Sequence, residues 1–397
     1  MNNSKHLNEL YTFLNTYKDI HQQEMIVRDL VNIPSIYLDW ASQLSKLTLE
    51  ELSEFESDLK LPDHTSSSLK NYAYEIKELT SIAHLNLQAD KVNENLLRKI
   101  SLKKSHEVET LSTFITQNIK EKTFLDVGSG AGHLSNNLVF RKDLKAYCLD
   151  ISSEFQTIGK KKIDRWIPDN KHKITFINKD FFKFNLKEIN SDDTLIIGLH
   201  SCGGLSNQLI KKFVNSNLKS LINFGCCYYK LNPNDFLSDL LNSKPQIITK
   251  ESLFLAERTT SYISAEDILR RKNVKKFRYA YHLFLKNKNG SSFESIGNSS
   301  KSLYSGDFAS YFYSNFLGNE IFSRDELNKF VYSKDFLACF NIYFALDSLR
   351  FVQGRLIELM IALDRAQYIN DNNIKTQVFT LFDPRISPRN ICIYAFK

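Results

Sequence analysis

The chain has 397 residues, of which 42% are hydrophobic and 24% charged. No apolar run approaches the roughly 20 residues of a membrane-spanning helix, and the composition reads as a soluble, globular chain with a large core and more than one module. The net charge is +7, but residues 1–100 carry 10 Lys and Arg against 15 Asp and Glu, while the remainder carries 42 against 30; that asymmetry favours a polyanionic partner for the second part.

From the N-terminus, MNNSKHLNELYTF lacks a basic-then-apolar leader and reads as mature protein. LNELYTFLNTY, IVRDLVNI and LTLEELSEFESDLKL space apolar residues by three and four, predicting helices up to about residue 100, with DHTSSS at 63–68 as a polar loop. From 123 the pattern becomes short apolar runs (TFLDVG, KAYCLDI, KITFINKD, DTLIIGLH and SLINFGCCYY), each followed by a helical stretch. Alternating strand and helix predicts a parallel sheet covered on both faces. Residues 232–340 are less regular and read as an insertion; a helix over about 341–368 and strands in TQVFTLFD and NICIYAF close the chain. The expected segments are therefore 1–100, 101–231, 232–340 and 341–397. Six cysteines without a regular framework predict reduced thiols and a cytoplasmic or nuclear protein.

DVGSGAG at 126–132 is the turn between a strand and a helix. Glycine allows positive φ and close approach of a ligand, and the helix start offers unpaired N–H donors. The position after the loop is His133, not the third glycine of the dinucleotide fingerprint, and no Gly-Lys-Ser/Thr of a P-loop follows. Asp126 with Gly128, Gly130 and Gly132 instead resembles the first motif of Rossmann-like S-adenosylmethionine (SAM) methyltransferases. Asp150, at the end of KAYCLD, is placed to accept ribose hydroxyls. Asp180, at the end of ITFINKD, is placed to receive an adenine amino group while Phe181 covers the ring, Phe182 standing beside it. An ordinary helix-capping role remains the alternative for each acid.

GLHSCGGLS (198–206), NFGCCYYKL (223–231), KKSHEVETLS (103–112) and LFDPRISPRNICIYAFK resemble the methyltransferase-like 25 family, whose domain also occurs in a relative named for ribosomal RNA adenine dimethylases. The resemblance covers most of 100–231 and 341–397, with a weaker match in IPSIYLDWASQL. It implies a Rossmann-like, seven-stranded class I SAM methyltransferase domain with a helical N-terminal region and an insertion before the last helix and strands. Two departures stand out: Gly204 replaces the acid of the family's HACGDLS, and nothing beyond Leu231 matches the family's segment after the double cysteine.

In this fold the end of the fourth strand faces the transferred methyl group, which places His200, Ser201 and Cys202 nearest the reaction. His200 is the expected general base, with a structural hydrogen bond as the alternative. Cys226 and Cys227 are expected to line the acceptor pocket; adjacent cysteines do not supply the spacing of structural zinc, so no metal is expected. Tyr228 and Tyr229 either stack a base or pack the core. His106 and Glu107 are expected to wall the cofactor pocket or cap a helix. The H-x-C-G and double-cysteine pair also resembles a eukaryotic tRNA 2′-O-methyltransferase family. Arg271, Lys275 and Lys276, in a basic run with Phe277, Tyr279 and Tyr281 interleaved, suit phosphate contacts and base stacking, or else form a solvated face. The expectation is a SAM-dependent methyltransferase acting on tRNA or rRNA; a protein-directed methyltransferase and a catalytically silent RNA- or protein-binding scaffold are the alternatives.

Overall fold

The structure, a computed structural model, describes residues 3–87, 94–98, 100–189, 193–258, 262–293, 296 and 299–397. By compactness the chain divides into two units: Met1–Thr16, Leu79–Ser261 and Gly354–Lys397 form the first, and Tyr17–Glu78 with Tyr262–Gln353 the second. No helix among the described residues is long and apolar enough to cross a membrane.

The first unit is built on seven strands: β1 (Thr123–Val127), β2 (Lys145–Asp150), β3 (Ile174–Asn178), β4 (Thr194–Cys202), β5 (Ser220–Cys226), β6 (Lys375–Thr380) and β7 (Ile391–Phe396). Their order is β3-β2-β1-β4-β5-β7-β6. The first five run parallel; β7 lies between β5 and β6, antiparallel to both. This is the Rossmann-like class I methyltransferase architecture. Strands buried on both faces need continuous apolar sequence, and Leu195, Ile196 and Ile197 of β4 and Leu221 and Ile222 of β5 are all buried. Helices His133–Arg141, Ser153–Trp166 and Gly204–Val214 link the parallel strands. Strand order reverses between β1 and β4, and open α/β sheets bind ligands at such a switch point.

The second unit is helical, and its composition departs from the four segments read along the sequence: parts of 1–100 and of 232–340 make one core. Helix Leu49–Asp58, with a Thr48–Glu51 capping box, packs on Ala265–Asn289. The latter is a 25-residue helix, started by a Ser264–Asp267 capping box and ended at Gly290 in the left-handed conformation, where the sequence reading expected irregular structure. Phe277, Ala280 and Phe284 share a buried stripe, and Ile268 is buried near the start of the helix. A run so rich in Lys and Arg hides that stripe, because the long basic stems cover apolar surface while their heads stay polar.

Candidate functional site

The loop after β1 takes its shape from three glycines, with φ of +71° at Gly128, +54° at Gly130 and +67° at Gly132. A Cβ at Gly128 or Gly130 would meet nothing within 4 Å, so these positions leave open space; one at Gly132 would stand 3.4 Å from the Phe176 ring. Asp126 lies beneath the loop, 3% exposed, and accepts a hydrogen bond from the Ser135 hydroxyl at 2.8 Å. Burial pushes its carboxyl up to about 6. Asp126 therefore braces the following helix. Asp150 ends β2 and ties the loop down: one carboxylate oxygen accepts from Gly130 N–H at 2.7 Å, the other from Ser152 N–H at 2.8 Å.

β3 stops at Asn178, so Asp180 sits two residues beyond the strand and accepts from Phe182 N–H at 2.9 Å. Phe181 is 4% exposed, with the Lys212 ammonium 4.8 Å from its ring centre, whereas Phe182 is 54% exposed. Strand alternation ends before these residues and offers no guide to which phenylalanine is free; the structure buries the one expected on the cofactor and leaves Phe182 as the available ring.

Across the switch point, β4 carries a bulge. Gly198 pairs with Asn223 and Ser201 with Gly225, leaving one extra residue on β4, in the stretch that contains His200. Bulges of this kind re-aim side chains near functional sites. His200 Nε2 lies 2.9 Å from Glu107 Oε2. Glu107, on helix Leu102–Asn118, is 1% exposed, and its other oxygen accepts from the Ser387 hydroxyl at 2.6 Å. Burial raises its pKa, but the His200 hydrogen bond and charge, Ser387 and Lys103 outweigh this and hold the carboxyl below the usual range. A carboxylate there accepts, so Nε2 carries a proton, and in the neutral ring the lone pair is on Nδ1. His106 turns elsewhere, its Nε2 accepting from Asp383 N–H at 2.9 Å. Glu107 was the residue that sequence reasoning passed over as a pocket wall.

Cys202 and Cys226 face each other across β4 and β5, their Sγ atoms 3.1 Å apart. The hydrogen bond from Cys226 pulls the Cys202 thiol down to about 6. Tyr228 is buried, its N–H donating to Glu257 and its hydroxyl within 3.2 Å of Gly225 O and Glu358; it packs the core. Tyr229 is exposed and stacks on Phe254, ring centres 5.5 Å apart. A Cβ at Gly204, the first residue of helix Gly204–Val214, would meet nothing within 4 Å, so glycine is not required there by packing.

In the second unit the basic run is engaged internally. Arg271 pairs with buried Glu56 and lies over the Phe351 ring. Lys275 reaches Asp347 at 2.6 Å, with Tyr279 donating to the same carboxylate. Lys276 lies 5.1 Å from the Tyr332 ring centre.

A family described as a methyltransferase domain matches residues 103–234, from the helix bearing Glu107 through β5 and the double cysteine. No curated protein matches the chain. Among solved structures, the glycopeptide N-methyltransferase MtfA complexed with SAM is 14% identical over 30% of this chain and 53% of its own, with a TM-score of 0.24. The CcbJ methyltransferase from Streptomyces caelestis is 10% identical over 31% and 51%, TM-score 0.26; a SAM-dependent methyltransferase from Clostridium acetobutylicum is 23% identical over 37% and 58%, TM-score 0.25. The aligned part spans little more than half of each of these chains. With β1 to β5, the glycine loop and the His200 dyad all inside or bordering the matched segment, residues 103–234 carry a methyltransferase domain.

Proposed function

We propose that the chain is a SAM-dependent methyltransferase acting on RNA, with His200 as general base. The observation that carries this is the placement of the glycine loop after β1 and of His200, held by Glu107 of helix Leu102–Asn118, on β4, the two strands being neighbours at the switch point of the sheet. The loop fits the cofactor: Gly128 and Gly130 leave a cradle that a Cβ would fill, and Asp150 fixes it through Gly130 N–H. Asp150 would hold the ribose hydroxyls, Asp180 the adenine amino group and Phe182 the face of the base. When bound, SAM supplies a methyl group on a sulfonium, for which alignment and acceptor deprotonation are the main demands on the protein. His200 Nδ1 takes the acceptor's proton, while Glu107, a positioning residue, holds the ring by Nε2–H and stabilises the imidazolium that forms.

RNA as acceptor is supported by the resemblance to a eukaryotic tRNA 2′-O-methyltransferase family and by where the charge lies. The first unit carries 33 Lys and Arg against 24 Asp and Glu, the second 19 against 21. The positive excess belongs to the unit with the sheet, not to the basic helix of the other.

Labelled SAM incubated with fractionated cellular RNA and protein tests the reading. We expect label in an RNA fraction, and His200→Ala to lower single-turnover transfer about 10²- to 10⁴-fold with calorimetric SAM affinity retained. Label in protein alone would move the acceptor to that class, and full turnover by a folded His200→Ala variant would remove the base.

A further inference from the structure

Cys226 and Cys227 are consecutive, and in an extended strand consecutive side chains point to opposite faces. They do not diverge here. Cys227 has φ of 51° and ψ of 47°, one of three non-glycine residues with positive φ among those described. This left-handed step, a conformation that favours glycine, breaks the alternation at the end of β5. Lys230 N–H closes the turn onto Cys227 O at 2.9 Å, and Glu257 holds it by accepting from Tyr228 N–H at 2.9 Å. Cys202 arrives from the other side, opposite Cys226 in the register that follows the β4 bulge.

As a result, the Sγ atoms of Cys202, Cys226 and Cys227 all lie within 4.8 Å of one another, with Cys226 buried and the other two half-buried. Zinc bound at its usual sulfur distance of 2.3 Å in tetrahedral geometry would separate its thiolates by about 3.8 Å. The cluster, closest at 3.1 Å, needs a shift of well under 1 Å between Cys202 and Cys226 to reach that spacing. Three thiolates select soft or borderline cations over Mg²⁺ or Ca²⁺.

We propose that Cys202, Cys226 and Cys227 form a three-thiolate site for a single Zn²⁺ ion, whose fourth position is open on the half-buried side. Three protein ligands with one open position is the pattern of zinc sites that bind an exogenous ligand, whereas purely structural sites use four. Bound Zn²⁺ would leave the cluster with one net negative charge, and the ammonium of Lys230, the residue whose backbone N–H closes the turn onto Cys227 O, is a cation close in sequence to offset it.

The test uses the full chain, reduced with a phosphine, stripped of metal and titrated with Co²⁺ and then Zn²⁺. We expect one equivalent of Co²⁺ to give thiolate-to-cobalt charge-transfer absorption with the intense d–d bands of a tetrahedral site, and one equivalent of Zn²⁺ to abolish both. Cys202→Ser, Cys226→Ser and Cys227→Ser should each weaken binding at least about 10-fold, and Cys339→Ser, in the second unit, should leave it unchanged. Absence of the cobalt signal in the wild type overturns the site without recourse to any variant. So does wild-type affinity in the three serine variants, or a Cys202–Cys226 disulfide that forms on aerobic dialysis in the presence of Zn²⁺. Calorimetric SAM affinity measured on the same samples separates failure of the metal site from failure of the methyltransferase reading.

Discussion

In the helical unit Arg271 meets Glu56 and Lys275 meets Asp347, acids of the same unit, so a run that looks like a phosphate-binding surface is part of the folded core. In the sheet unit the arrangement is the reverse. Asp150 receives two backbone N–H groups beside a loop whose glycines face open space, and His200 receives a buried carboxylate on one nitrogen only. Charge in a sequence and charge at a binding surface are therefore different quantities, and pairing inside the unit decides between them.

The largest effect that tests this contrast is expected from Arg271→Ala, which strands Glu56 without its cation; breaking a buried pair in this way costs about 3–5 kcal/mol. Denaturant unfolding should show that loss, with SAM affinity of the folded variant unchanged. If stability held and RNA affinity fell with a flatter salt dependence, the guanidinium would belong to a phosphate and the contrast would collapse. Next comes Asp150→Ala, for which we expect SAM binding to weaken by about 1.5–3 kcal/mol, roughly 10- to 150-fold. Its unfolding free energy should change less than that of Arg271→Ala; an unchanged calorimetric affinity rejects the ribose assignment. The smallest effect is expected from Lys276→Ala, where the loss of a cation–π contact with Tyr332 costs about 0.5–1 kcal/mol. A thermal melt that shifts no more than this, with RNA binding intact, confines Lys276 to packing.

Much of the sheet was legible in the sequence because its signals are local. A glycine turn needing positive φ and strands buried on both faces leave short, recognisable patterns, and Asp150 stands at a fixed distance from Gly130. The partner of His200 left no such mark. Glu107 lies 93 residues earlier, on a helix whose own periodicity gives no reason to expect a buried carboxylate. The choice between Phe181 and Phe182 was equally hidden, since it depends on a turn beyond the strand end. The internal pairing of the basic run was hidden as well: Phe277, Ala280 and Phe284 follow helical spacing, but Glu56 and Asp347, which meet the cations, come from segments 215 and 72 residues away. The convergence of the cysteines was invisible, because it depends on one backbone dihedral at Cys227.

The position of β7 has a kinetic consequence. Its pairing with β5 joins segments about 165 residues apart, and closing a loop of that length costs roughly 2.5 kcal/mol more than closing one of ten residues. Until that closure occurs, β5 is the uncovered rim of a parallel sheet, with SLINFGC presenting unpaired N–H and C=O groups along its length. If the helical segment 262–353 condensed early, the effective tether would shorten and this exposed interval would contract. A segment outside the sheet unit would then set how quickly, and with how little self-association, the sheet is completed.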